Sequence, residues 1–128
     1  LQPIKFFGTA FSGQGHGKLF IEMPWVKRQL TEITGFQPYS GTLNIHLTPQ
    51  STEQRKHLTP ERGALVKPEN GYLPGYLYKA TIFDTNCYVV IPDVPSYPKN
   101  MLEIVAKENL RKKHKIKDGD AVTVLVTV

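Results

Sequence analysis

Short apolar runs, several of them alternating with polar residues and most bounded by glycine or proline, govern what this chain can fold into. The clearest is Thr42 to Leu47, where Leu43, Ile45 and Leu47 share one face and Thr42, Asn44 and His46 share the other. Ile4 to Phe11, Leu19 to Met23, Gly75 to Phe83, Cys87 to Ile91 and Ala121 to Val128 are further β-rich runs. The turn Asp84-Thr85-Asn86 is expected to join two of them as a hairpin. With 10 glycines and 10 prolines in 128 residues, the chain favours many turns and short elements over a helical bundle.

Two segments carry helical spacing. Trp25, Val26, Leu30 and Ile33 recur at intervals of three and four between Met23 and Thr34, with Pro24 in the first turn and Gly35 as the stop. A second helix is expected from an Asn100 cap, with Glu103 completing a capping box. Leu102, Val105, Ala106 and Leu110 form its stripe, and Arg111 to Lys115 its basic end. Residues 48–74 are polar and rich in proline, glycine and charge, and read as a long excursion with a short β piece near Ala64 to Val66. The sum is a mainly β single domain over 1–128: about six strands and two short α-helices, with a closed small barrel the best way to bury the sheet edges.

Composition narrows the setting. No apolar run approaches the roughly 20 residues of a membrane span, so a soluble, non-membrane protein is expected. The lone Cys87 forms no intramolecular disulfide and no zinc framework, which fits a reducing cytoplasmic compartment. The chain begins at Leu1 without a signal pattern, so the terminus is processed or belongs to something longer. Sixteen Lys and Arg against 11 Asp and Glu leave a net charge of +5, an invitation to an anionic partner of unspecified kind.

Two motifs carry candidate chemistry. In Ser12-Gly13-Gln14-Gly15-His16-Gly17-Lys18 the alternating glycines let successive backbone N–H groups form a phosphate nest, with Lys18 at its edge. A flexible hairpin loop accounts for the same residues. The spacing is not a Walker motif, and the strand-like Leu19 to Met23 argues against a dinucleotide fingerprint. In Gly41-Thr42-Leu43-Asn44, Thr42 and Asn44 project neutral oxygens from one strand face. That pair suits Mg²⁺ when substrate phosphates bring the negative charge, and equally suits a solvent face.

Taken in order, Ser12 to Gly17, then Gly35-Phe36-Gln37-Pro38-Tyr39-Ser40-Gly41-Thr42-Leu43-Asn44, closely resemble the archaeal-type CTP-dependent riboflavin kinases. The resemblance continues through Val90-Ile91-Pro92, Leu102 to Ala106, Asn109-Leu110-Arg111 and Lys117 to Asp120, and is weakest over 48–74. It implies a six-stranded barrel of the cradle-loop type that phosphorylates riboflavin to FMN with CTP. By the same resemblance Gln14, Gly15, His16, Gly17, Lys18 and Leu19 contact CTP or CDP, as do Glu108, Asn109, Leu110 and Arg111. Thr42 and Asn44 hold Mg²⁺, and Glu103, Pro95 and Ser96 line the flavin site.

Two positions depart from that pattern. His16 stands where the family loop carries Glu, and Pro95 where a flavin-side Thr is usual, with Ser96 beside it. The departures motivate an alternative, a catalytically degenerate sensor that binds flavin or nucleotide without transferring phosphate. No catalytic base is assigned; Glu103 is a candidate, and Tyr39, Tyr97 and Phe36 are candidates to stack on the flavin ring. A nucleic-acid-binding barrel, suggested by the Arg111 to Lys117 cluster, lacks an aromatic-plus-basic strand face.

Overall fold

A computed structural model describes residues 2–69 and 71–127, the side chains at positions 16 and 17 excepted. In chain order the elements are β1 (Ile4–Phe11), α1 (His16–Glu22), α2 (Pro24–Thr34), β2 (Leu43–Leu47), α3 (Pro49–Gln54), β3 (Ala64–Val66), β4 (Gly75–Ile82), β5 (Thr85–Pro92), β6 (Met101–Val105), α4 (Leu110–His114) and β7 (Ala121–Val126), with two 3-10 turns between α3 and β3. Six strands close into an antiparallel barrel in the order β4-β5-β6-β2-β1-β7. Closure is made where Ala80, Thr81 and Ile82 of β4 pair with Val126, Leu125 and Val124 of β7. The first half of that β4 edge is covered instead by β3, through Leu77, Tyr76 and Gly75.

Alternation along each strand fills the barrel. Phe6, Ile45, Val89, Leu102, Ile104 and Val124 point inward and are almost fully buried. A second core lies outside the barrel wall, where Ile21 of α1 and Trp25, Val26 and Leu30 of α2 pack on Val66, Leu77, Val90 and Val105. Gly8 permits the close approach of β1 to β2: a Cβ there would strike the His46 carbonyl oxygen.

The closed six-stranded barrel is the expected fold, but its membership differs. Leu19 to Met23 is helical, not a strand: Gly15, left-handed at φ 83°, starts α1, and Met23 in extended backbone with Pro24 behind it separates α1 from α2. Only Ile21 of that run is fully buried, and Phe20 meets the Trp25 ring edge-on at 6.1 Å. Conversely Met101 to Val105, expected as helix, is a strand. Glu103 pairs with Asn44 on one side and Val90 on the other, and the backbone groups of β6 bridge β2 to β5. Helix α4 is a short remnant capped by Asn109, whose Oδ1 accepts from Lys112 N at 3.2 Å; Asn100 caps nothing. The β4–β5 turn is Phe83-Asp84, both with positive φ, a two-residue primed turn that leaves Thr85 and Asn86 in β5. The 48–74 excursion holds α3, the 3-10 turns and the anticipated β3.

Candidate functional site

One register row builds the site. Across β1, β2, β6 and β5, Phe11 pairs with Asn44, Asn44 with Glu103, and Glu103 with Val90. The neighbouring positions Leu43, Ile45, Leu102 and Ile104 point into the barrel, so this row faces outward, onto a cleft of about 780 Å³. The glycine loop 12–15 and Lys18 form one wall, and Val90, Pro92, Val94, Met101 and Pro98 give the lining an apolar part. Two cations, Lys18 and Arg111, and one carboxylate, Glu103, line it.

The start of the glycine loop is latched. Ser12 Oγ donates to both oxygens of Asp118, at 3.0 and 2.8 Å, and Arg111 Nη2 lies 2.8 Å from Asp118 Oδ1 and donates to Phe11 O at 2.8 Å. Hydrogen bonds from Ser12, and then from Arg111, hold the Asp118 carboxyl below the usual aspartate range. At Gly13 the loop presses on the Asn44 amide, leaving no room for a Cβ.

In the floor, Thr42 Oγ1 lies 3.0 Å from Glu103 Oε2 and 3.3 Å from Asn44 Oδ1. Its single proton serves the shorter contact, with Glu103, which leaves oxygen lone pairs of Thr42 and Asn44 side by side. Tyr97 caps the other carboxylate oxygen, donating to Glu103 Oε1 at 2.9 Å. Burial, and then the Glu103 charge, push the Tyr97 hydroxyl far above its ordinary value, so it remains a donor. Hard neutral oxygens beside one carboxylate are a donor set that fits Mg²⁺ carried in with a phosphate. Among the described residues no group of three or more His, Cys, Asp and Glu forms a dedicated metal cage.

Most of the residues singled out in the sequence converge here. Gln14, Gly15, Lys18, Thr42, Asn44, Ser96, Glu103 and Arg111 line the cleft. Glu108, Asn109, Leu110 and Arg111 line an adjoining cavity of about 180 Å³ that shares Gly41, Thr42 and Arg111 with it. Leu19 is exposed and away from the lining, as is Pro95. The side chains expected at His16 and Gly17 lie outside the described residues. His46 stacks on Phe11 at 3.6 Å. Glu103 is a strand residue in the floor and not a helix cap. Sequence reasoning named Ser12 and Asp118 only within motifs and did not pair them. Only the glycine-adjacent hydroxyl and the Asp118-Gly119-Asp120 turn hinted at the latch, because its partners are separated by 106 residues.

The fold and cleft define a class: closed antiparallel barrels with a ligand-sized cleft on their outer wall beneath a glycine loop. Residues 10–126 match the family model CTP-dep_RFKase, described as domain of unknown function DUF120. The riboflavin kinase of Ignicoccus hospitalis is 36% identical over 98% of this chain and 72% of its own length. That of Saccharolobus solfataricus is 37% identical over 100% of this chain and 77% of its own, and that of Methanospirillum hungatei 38% identical over 94% and 57%. The chain belongs to the CTP-dependent riboflavin kinase family.

Proposed function

We propose that this chain transfers the terminal phosphate of CTP to the ribityl 5′-hydroxyl of riboflavin, giving FMN and CDP. The observation that carries the reading is the continuous cleft, which has a glycine loop and two cations along one wall, an apolar part, and Thr42, Asn44 and Glu103 in its floor. The family and its relatives supply riboflavin and CTP. Phosphoryl transfer through a loose transition state asks chiefly for alignment and charge neutralisation, and those are what these residues provide.

The nucleotide phosphates lie along residues 12–18, with Lys18 and Arg111 countering their charge, and the segment Glu108 to Arg111 takes the rest of the nucleotide. The flavin ring lies against Val90, Pro92 and Val94. Thr42 and Asn44 would hold Mg²⁺, which supplies charge neutralisation on the transferring phosphate. Glu103 accepts a hydrogen bond from the 5′-hydroxyl and aims its oxygen at the γ-phosphorus. The new P–O bond forms as the bond to the bridging oxygen of CDP breaks. A buried free thiol at Cys87 accords with a reducing, cytoplasmic setting. No helix among the described residues is long and apolar enough to cross a membrane.

The test is incubation with riboflavin, Mg²⁺ and either CTP or ATP, with FMN resolved by chromatography. FMN formed with CTP is the expected result. Binding of CTP and riboflavin without FMN from either nucleotide would replace the kinase with the sensor suggested by His16 and Pro95.

A further inference from the structure

The floor carboxylate is reached from behind by the excursion between β2 and β3. Arg55, in the 3-10 turn that follows α3, donates through Nη1 to the Pro98 carbonyl at 2.6 Å. Its guanidinium carbon lies 5.2 Å from the centroid of the Tyr97 ring. The Tyr97 hydroxyl then donates to Glu103 Oε1, and Glu103 Oε2 accepts from Thr42. Arg55, Tyr97, Glu103 and Thr42 therefore form one unbroken chain of contacts from the excursion to the cleft floor. Each link is oriented: a planar cation over an aromatic face, a hydroxyl on each carboxylate oxygen, and a fork donor on the loop that carries the ring.

We propose that Arg55 and Tyr97 are positioning residues that set the aim of Glu103 toward the acceptor hydroxyl, so the 48–74 excursion determines how the acceptor, and not the nucleotide, is held. This rests on the kinase reading above. Several observations point the same way. Among the described residues the Arg55 side chain hydrogen-bonds the Pro-rich segment that lines the cleft, and neither the glycine loop nor the 108–111 segment. With Tyr97 and Thr42 each donating to one oxygen, the Glu103 carboxylate cannot swing, and its remaining lone pairs accept from a hydroxyl donor.

The experiment compares the parent with Tyr97→Phe, Arg55→Ala and Arg55→Lys in steady-state kinetics and in direct binding of riboflavin and CDP. Tyr97→Phe keeps the ring and loses one charge-assisted hydrogen bond. It is expected to lower kcat/KM for riboflavin about tenfold, with KM for CTP and CDP affinity unchanged. Arg55→Ala is expected to act in the same direction, and Arg55→Lys to recover part of the loss through the retained cation. A comparable rise in KM for CTP or loss of CDP affinity, or parental kinetics in Tyr97→Phe, would overturn the proposal. A parent that makes no FMN refutes the kinase reading separately. Riboflavin affinity then decides the positioning role, which fails if Tyr97→Phe binds riboflavin as the parent does or the parent does not bind it.

Discussion

The Asn44 side-chain amide lies against the Cα of Gly13, so closely that a Cβ on Gly13 would overlap Asn44 Nδ2. The glycine loop and the strand floor are thus one unit, and on the proposed reading nucleotide and metal would be set together. Gly13→Ala is expected to displace Asn44 and cut kcat with CTP by about 10- to 100-fold. Unchanged turnover would show that the two parts are independent.

Thr42 and Asn44 offer neutral oxygens, so a metal held as proposed would depend on phosphate charge brought by the nucleotide. Chelation with EDTA is expected to abolish FMN formation, and added Mg²⁺ to restore it. Asn44→Ala is expected to raise the Mg²⁺ needed for half-maximal rate by on the order of tenfold, as removal of supporting metal partners does elsewhere. A titration curve superimposable on the parent's would remove Asn44 from the metal site.

The Ser12–Asp118–Arg111 latch has a defined pH dependence. The Asp118 carboxyl is held below its ordinary value of 3.8, chiefly by Ser12 and then by Arg111. Folding therefore gains from the ionised form above that value and loses the gain as pH falls through the lowered one. Asp118→Asn is expected to melt below the parent at pH 7, with the gap closing below about pH 3.8. A gap that is constant across that range would mean the charge is irrelevant to the latch.

Ser51 is the buried polar residue of α3, and its hydroxyl oxygen accepts from Phe7 N at 2.8 Å. Ser51→Ala leaves that backbone donor without a partner. The cost is about 1–3 kcal/mol, a drop of several degrees in Tm by calorimetry. The excursion would be only loosely attached to β1 if Tm did not move.

Burial pushes the Cys87 thiol up to about 12. A disulfide reagent at pH 8 is expected to leave the folded protein unlabelled and to label it fully in denaturant. Because the unfolded thiol ionises near its ordinary value of 9.0, stability is expected to fall as pH rises from about 9 toward 12. Rapid labelling of the native state would contradict the full burial of this residue in the barrel core.

The closed barrel and several residues that line the cleft were both legible in the sequence. Gly13, Gly15, Thr42 and Asn44 are readable because nests and neutral-oxygen pairs depend on local spacing, which the chain displays directly. Arg55, Tyr97 and Asp118 were not readable in their roles, since each acts through partners that only folding brings near. The segment Leu102 to Ala106 shows why strand and helix were confused. Leu102, Val105 and Ala106 fit a helical stripe, while Leu102 and Ile104 fit a strand, and five residues cannot separate the two periods.

By itself the sequence pointed to a small barrel of short antiparallel strands, because the alternating apolar runs at Ile4 to Phe11 and Leu43 to Leu47 need one face buried and closure leaves the fewest open edges. That the glycine loop would stand near the Thr–Asn pair was implied only by the family resemblance, since their contact depends on the pairing of β1 with β2. Only the tertiary structure decided which segments complete the wall. Met101 to Val105 becomes a strand because β2 and β5 present unpaired edges on both sides of it, and Leu19 to Glu22 becomes helix because no such edge awaits it. Hydrogen-bond partners supplied from distant strands outweigh the local preference of a five-residue run, and they carried Glu103 from an expected helix cap into the floor of the cleft.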